Sequence, residues 1–164
     1  MGVLVDTGSF RAAMARFPGA VTIVTALSGT ERRGITATAV CSVSAEPPSL
    51  LVCLNRKTGT CAAVRQGGFF NVNLLRGDGG PIAMRFAGFD GATGEAKFSE
   101  GQWRSDARGL PLLDEAMVGV SCKVATVMEA GSHTVFIGHI IGLAIRDGDA
   151  LIYEKSRFNR LEPL

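Results

Sequence analysis

The chain has 164 residues, 46% of them hydrophobic and 20% charged, and carries a formal net charge of +2. Such a length can bury a core without staples and reads as one domain over residues 1–164. The charge is small and no Lys/Arg cluster exceeds a few residues, which argues against a nucleic-acid surface.

No apolar run reaches the roughly 18 residues of a membrane helix, and no basic segment precedes a signal-type apolar stretch. Neither a membrane nor a nucleic-acid partner is therefore expected. Twenty-one glycines beside six prolines favour turns and close backbone approach over disorder. Cys41, Cys53, Cys61 and Cys122 show no C-x-x-C pairing and no histidine at zinc-finger spacing. A reduced, cytoplasmic protein without a metal site is the expectation.

In chain order, Ser9 can cap a short helix whose Phe10, Met14 and Phe17 share one face as core packing. Pro18-Gly19 stops it. Val21 to Ala26 is rich in β-branched residues and reads as a strand. The turn Ser28-Gly29-Thr30-Glu31 leads into a second strand, Ile35 to Val43, completing a hairpin. Turn chemistry at Glu46-Pro47-Pro48-Ser49 precedes Leu50 to Leu54, which is apolar on both faces and reads as a central, doubly covered strand. A polar, basic turn, Asn55 to Thr60, follows, then a helix from Thr60 to Gln66 and a strand from Phe69 to Leu75.

Residues 76 to 110 are the least regular. Asp78 can start a helix through Arg85 and Phe86; Gly88 to Gly94 and Trp103 to Gly109 read as surface loop. An excursion of about 35 residues is either a lid or binding surface or a padded connection. Val118 to Val124 alternates apolar residues with Gly119, Ser121 and Lys123, as a half-buried strand does. From Val135 to Ile145 the odd positions are apolar except His139, read as structural. The even face is nearly flat and suits close sheet or subunit contact. Gly131-Ser132-His133 makes the turn between these two strands, and Gly148 turns the chain into Ala150 to Tyr153. About six or seven strands joined mostly by short turns, with a few short helices, favour a mainly β antiparallel barrel over a doubly wound sheet.

The chain has no G-x-G-x-x-G after a strand, no G-x-x-x-x-G-K-[ST] and no G-x-S-x-G elbow. If the chain is an enzyme, a bound cofactor is expected to carry most of the chemistry. The stretch Arg33 to Thr60 suits one. Small hydroxyl residues and backbone amides lie in it close to a cationic loop, a surface able to hold a flat ring at one end and a phosphate at the other.

Four blocks occur in order: Ile35 to Val43 (ITATAVCSV), Pro47 to Asn55 (PPSLLVCLN), Phe70 to Leu74 (FNVNL) and Gly131 to Thr134 (GSHT). Together they resemble the short-chain flavin reductases of two-component monooxygenase systems, over nearly the whole chain from Phe10 to Phe158. That resemblance implies a Greek-key, FMN-binding split β-barrel acting as a homodimer. It also implies NADH or NADPH as hydride donor to FMN or FAD, with the reduced flavin supplied to a partner monooxygenase.

Thr36, Thr38, Ala39, Cys41, Ser42 and Val43 then match the segment along the isoalloxazine, although a Thr-rich strand by itself is ordinary. Asn55, Arg56, Thr58 and Thr60 match the loop receiving the flavin phosphate, chemically apt because hydroxyls, a cation and helix-start amides suit an anion. Lys57 is read as solvent-facing. Asn73 matches a position beside the flavin, or else satisfies a turn; Arg85 and Phe86 match a helix approaching the cofactor. His133 matches a histidine near the nicotinamide and is the one catalytic candidate. Ser132, where relatives often carry Asp or Thr, leaves the nucleotide preference open. Tyr153, Arg157 and Phe158 match a C-terminal segment on the nicotinamide side. A split-barrel flavin oxidase, or a flavin-binding module without turnover, remains the alternative.

Overall fold

The computed structural model describes residues 2–164. A helix, α1 (Thr7–Met14), precedes β1 (Gly19–Ala20), β2 (Thr22–Ser28), β3 (Glu31–Ala37), β4 (Val40–Ala45) and β5 (Pro48–Asn55). Next come α2 (Gly59–Gly67), β6 (Phe69–Leu74), α3 (Gly80–Ala87), a 3-10 helix (Gly94–Ser99), β7 (Trp103–Ser105) and β8 (Pro111–Leu113). Two long strands, β9 (Val118–Ala130) and β10 (His133–Ile145), and the short β11 (Ile152–Glu154) and β12 (Arg157–Asn159) complete the chain.

Seven strands form one antiparallel sheet in the order β3-β2-β6-β9-β10-β5-β4. Its edges, β3 and β4, are consecutive in sequence and joined only by Thr38 and Ala39. In a flat sheet those edges would stand about 29 Å apart, whereas so short a link spans about 10 Å. The sheet is therefore rolled until its edges meet at that corner. No ladder pairs β3 with β4 among the described residues, so the roll stays open. The expected single strand Ile35 to Val43 is thus two strands on opposite edges. Its break falls where Thr22 Oγ1 donates to Ala37 O at 2.7 Å and Val40 N donates back to Thr38 O at 3.0 Å.

Two apolar cores result. The roll encloses Val24, Leu50, Val52, Leu54, Val64, Phe70 and Phe136. Outside it, Val21, Ile23, Leu75, Ala83, Phe86, Phe98 and Leu113 pack beneath α3 and the 3-10 helix. β2 is therefore the doubly covered strand, not β5, whose Leu51 and Cys53 are only half-buried. Gly138 lets β10 close on the interior, since a Cβ there would stand 2.7 Å from Phe70 Cζ and 2.8 Å from Cys122 Cβ. The small even face of β10 is thus used inside the roll, and Ile141, Leu143 and Ile145 face outward, exposed.

Several boundaries differ from expectation. α1 is capped by Asp6, whose Oδ1 accepts from Ser9 N at 2.9 Å, while Ser9 lies inside the first turn. None of its residues is buried, so Phe10, Met14 and Phe17 are not core packing within the chain. α3 starts after Gly79 with Pro81 in its first turn, not at Asp78. Trp103–Ser105 pairs with Pro111–Leu113 instead of looping, because Trp103 is drawn against Phe86 and Phe98 at ring separations of 5.2 and 5.0 Å. β9 runs past Val124 to Ala130 as the partner of β10, with two register shifts that bend the pair. Among the described residues no helix is long and apolar enough to cross a membrane.

Candidate functional site

Two recesses open along the edge strand β3. The larger, about 680 Å³, is bounded by Val21, Thr36 and Thr38, by Ala83, Met84, Ala87 and Phe89 of α3 and its following loop, and by Tyr153, Ser156 and Phe158 of the C-terminal hairpin. No lining residue is charged. The spacing of Ala83 and Ala87 places small side chains on one face of α3, and Thr36 Oγ1 donates to Ala83 O at 2.6 Å, seating the helix against the strand. Opposite, the Tyr153 and Phe158 rings lie 5.5 Å apart. Their hairpin turns through Lys155 and Ser156, both at positive φ (49° and 61°). The recess has the chemistry of a slot for an uncharged flat ring, with two hydroxyls on its strand wall.

The second recess, about 430 Å³, is bounded by Arg33, Gly34, Ile35, Thr58, Gly59, Thr60, Thr93, Gly94 and Lys97. Thr58 caps α2: its Oγ1 accepts from Cys61 N at 3.2 Å and donates to Asn55 O at 2.8 Å. That leaves Gly59 and Thr60 as first-turn amides with no intrahelical acceptor. Arg33 crosses the recess between two glycines. A Cβ at Gly59 would stand 3.4 Å from its Nε, and one at Gly94 would stand 3.3 Å from its Nη1. Lys97 enters from the other side, its Nζ donating to Phe86 O at 2.8 Å and Gly34 O at 3.4 Å. Burial pushes the Lys97 ammonium below its ordinary pKa, against a smaller upward pull from Asp90. Two cations beside a helix N-terminus suit an anion, with Arg33 Nη2 also paired to Glu31 Oε2 at the edge of β3.

Along β3 the two linings meet at consecutive residues, Ile35 in the cationic recess and Thr36 in the uncharged one. One recess has the lining for a neutral ring and the other for an anionic tail.

The expected residues divide between places. Thr36, Thr38, Tyr153 and Phe158 meet in the uncharged recess, and Thr58 and Thr60 in the cationic one. Ala39 lies in the corner link, its carbonyl accepting from Cys53 N at 3.0 Å, and Cys41, Ser42 and Val43 are exposed along β4, lining neither recess. Asn73 is 0% exposed: its Nδ2 donates to Ile23 O at 3.0 Å and its Oδ1 accepts from Leu113 N at 2.8 Å. It ties β2 to β8 and touches no open space. Phe86 is equally sealed, in the outer core. Arg85 is spent on the loop after α3, reaching Asp90 Oδ2 at 2.8 Å, Ala96 O at 2.8 Å and Ser99 Oγ at 2.6 Å.

Arg56 also has another task. Its backbone amide donates to Ser132 O at 3.0 Å, its Nη1 donates to Gly131 O at 3.0 Å, and its Nε lies 3.3 Å from Glu129 Oε2. Glu129 pairs with Arg65 as well, which holds its carboxyl below the usual range. The Asn55 to Thr58 loop is thereby fastened to the turn bearing His133, which pairs with Asn55 across the sheet. Ser132 Oγ lies 2.9 Å from His133 Nδ1. His133 and Arg157 are exposed and border neither recess, and Lys57 is exposed as expected. His139, expected to be structural, is exposed on the outer side of β10.

Arg33, Lys97, Met84, Phe89 and Ser156 were not singled out by sequence. Arg33 reads as a solvated turn charge beside Arg32. Lys97 stands in the irregular segment, and nothing local announces that its ammonium is folded beneath Phe86.

The chain matches the model of the flavin reductase like domain over residues 14–162. It is 36% identical over 155 residues to the 4-hydroxyphenylacetate 3-monooxygenase reductase component of Pseudomonas aeruginosa, covering 94% of this chain and 91% of that protein. It is 40% identical over 151 residues to the FMN reductase (NADH) RutF of Ancylobacter novellus, covering 92% and 82% respectively. The fold superposes on the NADH:FAD oxidoreductase SgcE6 of Streptomyces globisporus, solved with NAD and FAD fragments, at a TM-score of 0.88 and 28% identity, covering 99% and 98% of the two chains.

Proposed function

The chain belongs to the flavin reductase-like family, and on that premise we propose that it is an NAD(P)H-dependent flavin reductase feeding a two-component monooxygenase. The observation that carries this reading is the pairing, along β3, of an uncharged slot with a cationic groove. A flavin held there would supply the redox chemistry, as acceptor of a hydride from reduced nicotinamide and, once reduced, as the product passed to a partner oxygenase. The protein's share is to bind, orient and exclude water.

In this reading Thr36 and Thr38 present hydroxyls to the ring, and the Ala83–Ala87 face lets it approach α3. Arg33, Lys97, Thr58 and the amides of Gly59 and Thr60 receive the phosphate. Arg56 holds the His133 turn in place and does not compete for the anion. Tyr153 and Phe158 close the slot from the C-terminal side and keep water from the reacting rings. No side-chain acid or nucleophile is needed, and among the described residues no group of three or more His, Cys, Asp or Glu gathers as a metal would require.

We take the rolled sheet for the family's split barrel, acting as one domain. The exposed apolar rows on α1 and on β9 and β10, including Phe10, Met14, Met128, Leu143 and Ile145, support a homodimer. Four free thiols support a reducing, cytoplasmic setting.

Oxidation of NADH and NADPH, followed by loss of their absorbance with and without added FMN, FAD and riboflavin, tests the assignment. Turnover that rises with added flavin is expected. A protein that binds flavin but oxidises neither nucleotide would be a flavin-binding module or an oxidase instead.

A further inference from the structure

Phe89 is 72% exposed, among the most exposed large apolar side chains of the folded region, yet it stands at the rim of the uncharged recess. Its position is not that of a loose loop tip. The amide of Phe89 donates to Met84 O at 3.3 Å, the preceding Gly88 terminates α3 at φ 82°, and Gly91 turns the chain back at φ 79°. The next residue, Asp90, accepts from Arg85 Nη1 at 2.8 Å and from Ala92 N at 3.0 Å. The first of those bonds holds Arg85 on the loop, and the Arg85 side chain is three-quarters buried. The chain thus fastens the base of the loop on both sides of an aromatic ring it leaves in water, at a cost a solvent-facing polar residue would not incur.

The recess has two walls. One is β3 with Thr36 and Thr38, the strand that also borders the cationic groove; the other is the rim formed by Met84, Phe89, Tyr153 and Phe158, three of them aromatic and all more than a third exposed. A ring whose tail is anchored in the groove lies against the β3 wall. The rim then faces whatever stacks on that ring's outer face. No charged side chain lines this recess, and three aromatic rings stand at its rim, a lining that suits a second neutral flat ring there.

We propose that Phe89 is a positioning residue for the hydride donor, covering the outer face of the dihydronicotinamide ring as it stacks on the flavin. This rests on the flavin-reductase reading of the same site. Stacking buries the ring of Phe89 and excludes water from the reacting pair, so the contact exists only when both rings are in place.

The test compares Phe89→Ala, Phe89→Tyr and the unchanged protein by steady-state kinetics with NADH and by flavin fluorescence titration without it. Phe89→Ala should raise KM for NADH about tenfold, as expected for one lost aromatic stacking contact, while flavin Kd moves less than threefold. Phe89→Tyr, which keeps the ring, should restore KM. Because Phe89 is exposed, neither variant should lower the melting temperature, and an unchanged melting curve certifies the comparison. An unaltered KM in Phe89→Ala, or an equal loss of flavin affinity, overturns the assignment while the unchanged protein still turns over. If the unchanged protein fails to oxidise NADH or NADPH with any flavin, the reductase reading falls first.

Discussion

Replacing Lys97 by methionine should weaken FMN binding and spare riboflavin, which lacks the phosphate. Methionine keeps an apolar stem and removes the ammonium, whose Nζ donates to Phe86 O at 2.8 Å and which lines the same recess as the α2 N-terminus. A charge-assisted hydrogen bond contributes about 1.5–3 kcal/mol, or roughly ten- to hundredfold in Kd; half-burial of Lys97 limits solvent screening of that contact. Arg56→Ala should leave the ratio of FMN to riboflavin affinity within about threefold, because its guanidinium is committed to Gly131 O and Glu129. Parallel fluorescence titrations of both flavins on the three proteins decide the matter. A second handle is pH. Burial holds the Lys97 pKa below that of an ordinary lysine, so its charge is present at lower pH and is lost sooner as pH rises. The FMN preference of the unchanged protein should therefore shrink on the alkaline side, and that pH dependence should vanish in Lys97→Met. If Arg56→Ala collapses the ratio and Lys97→Met does not, the phosphate belongs to the Asn55–Thr58 loop and the reasoning is wrong.

Asn73→Ala should destabilise the fold by roughly 2–5 kcal/mol, since it strands Ile23 O and Leu113 N in a site sealed from water. Thermal melting should fall by about 5–15 °C; a shift under about 2 °C together with lost flavin affinity would return Asn73 to the ligand. Thiol modification at mildly alkaline pH should label Cys41 rapidly and Cys122 only on unfolding, because Cys41 is exposed while burial pushes the Cys122 thiol up to about 12. Rapid labelling of Cys122 in the folded protein would show that the interior of the roll opens at that strand.

Local patterns carried much of the architecture. Alternation in β9 and β10, the β-branched run of β2 and the turn residues between them are properties of neighbours in sequence, and they placed most strands within a few residues. The hydroxyls of Thr36, Thr38 and Thr58 were singled out through the family resemblance, and the cap at Thr58 came only with the structure. A strand presents alternate residues to one side, and a helix start leaves amides that a hydroxyl can satisfy.

Other features depended on what lies across the roll. Thr38-Ala39 looks like mid-strand until the sheet's two edges are brought to one corner. Asn73, Arg85 and Phe86 have the chemistry of ligand contacts, yet their partners come from β2, β8 and the segment 90–99, so they are spent on the fold. Arg33 and Lys97 are held as well, by Glu31 Oε2 and by the Phe86 and Gly34 carbonyls, yet both keep their charge beside one recess. They stand 64 residues apart in the chain and line one recess with the N-terminus of α2 only because the 3-10 helix folds back over β3. Periodicity and turn chemistry are short-range and survive in the sequence. Which polar group is left free to bind a ligand is settled by the long-range contacts that consume all the others.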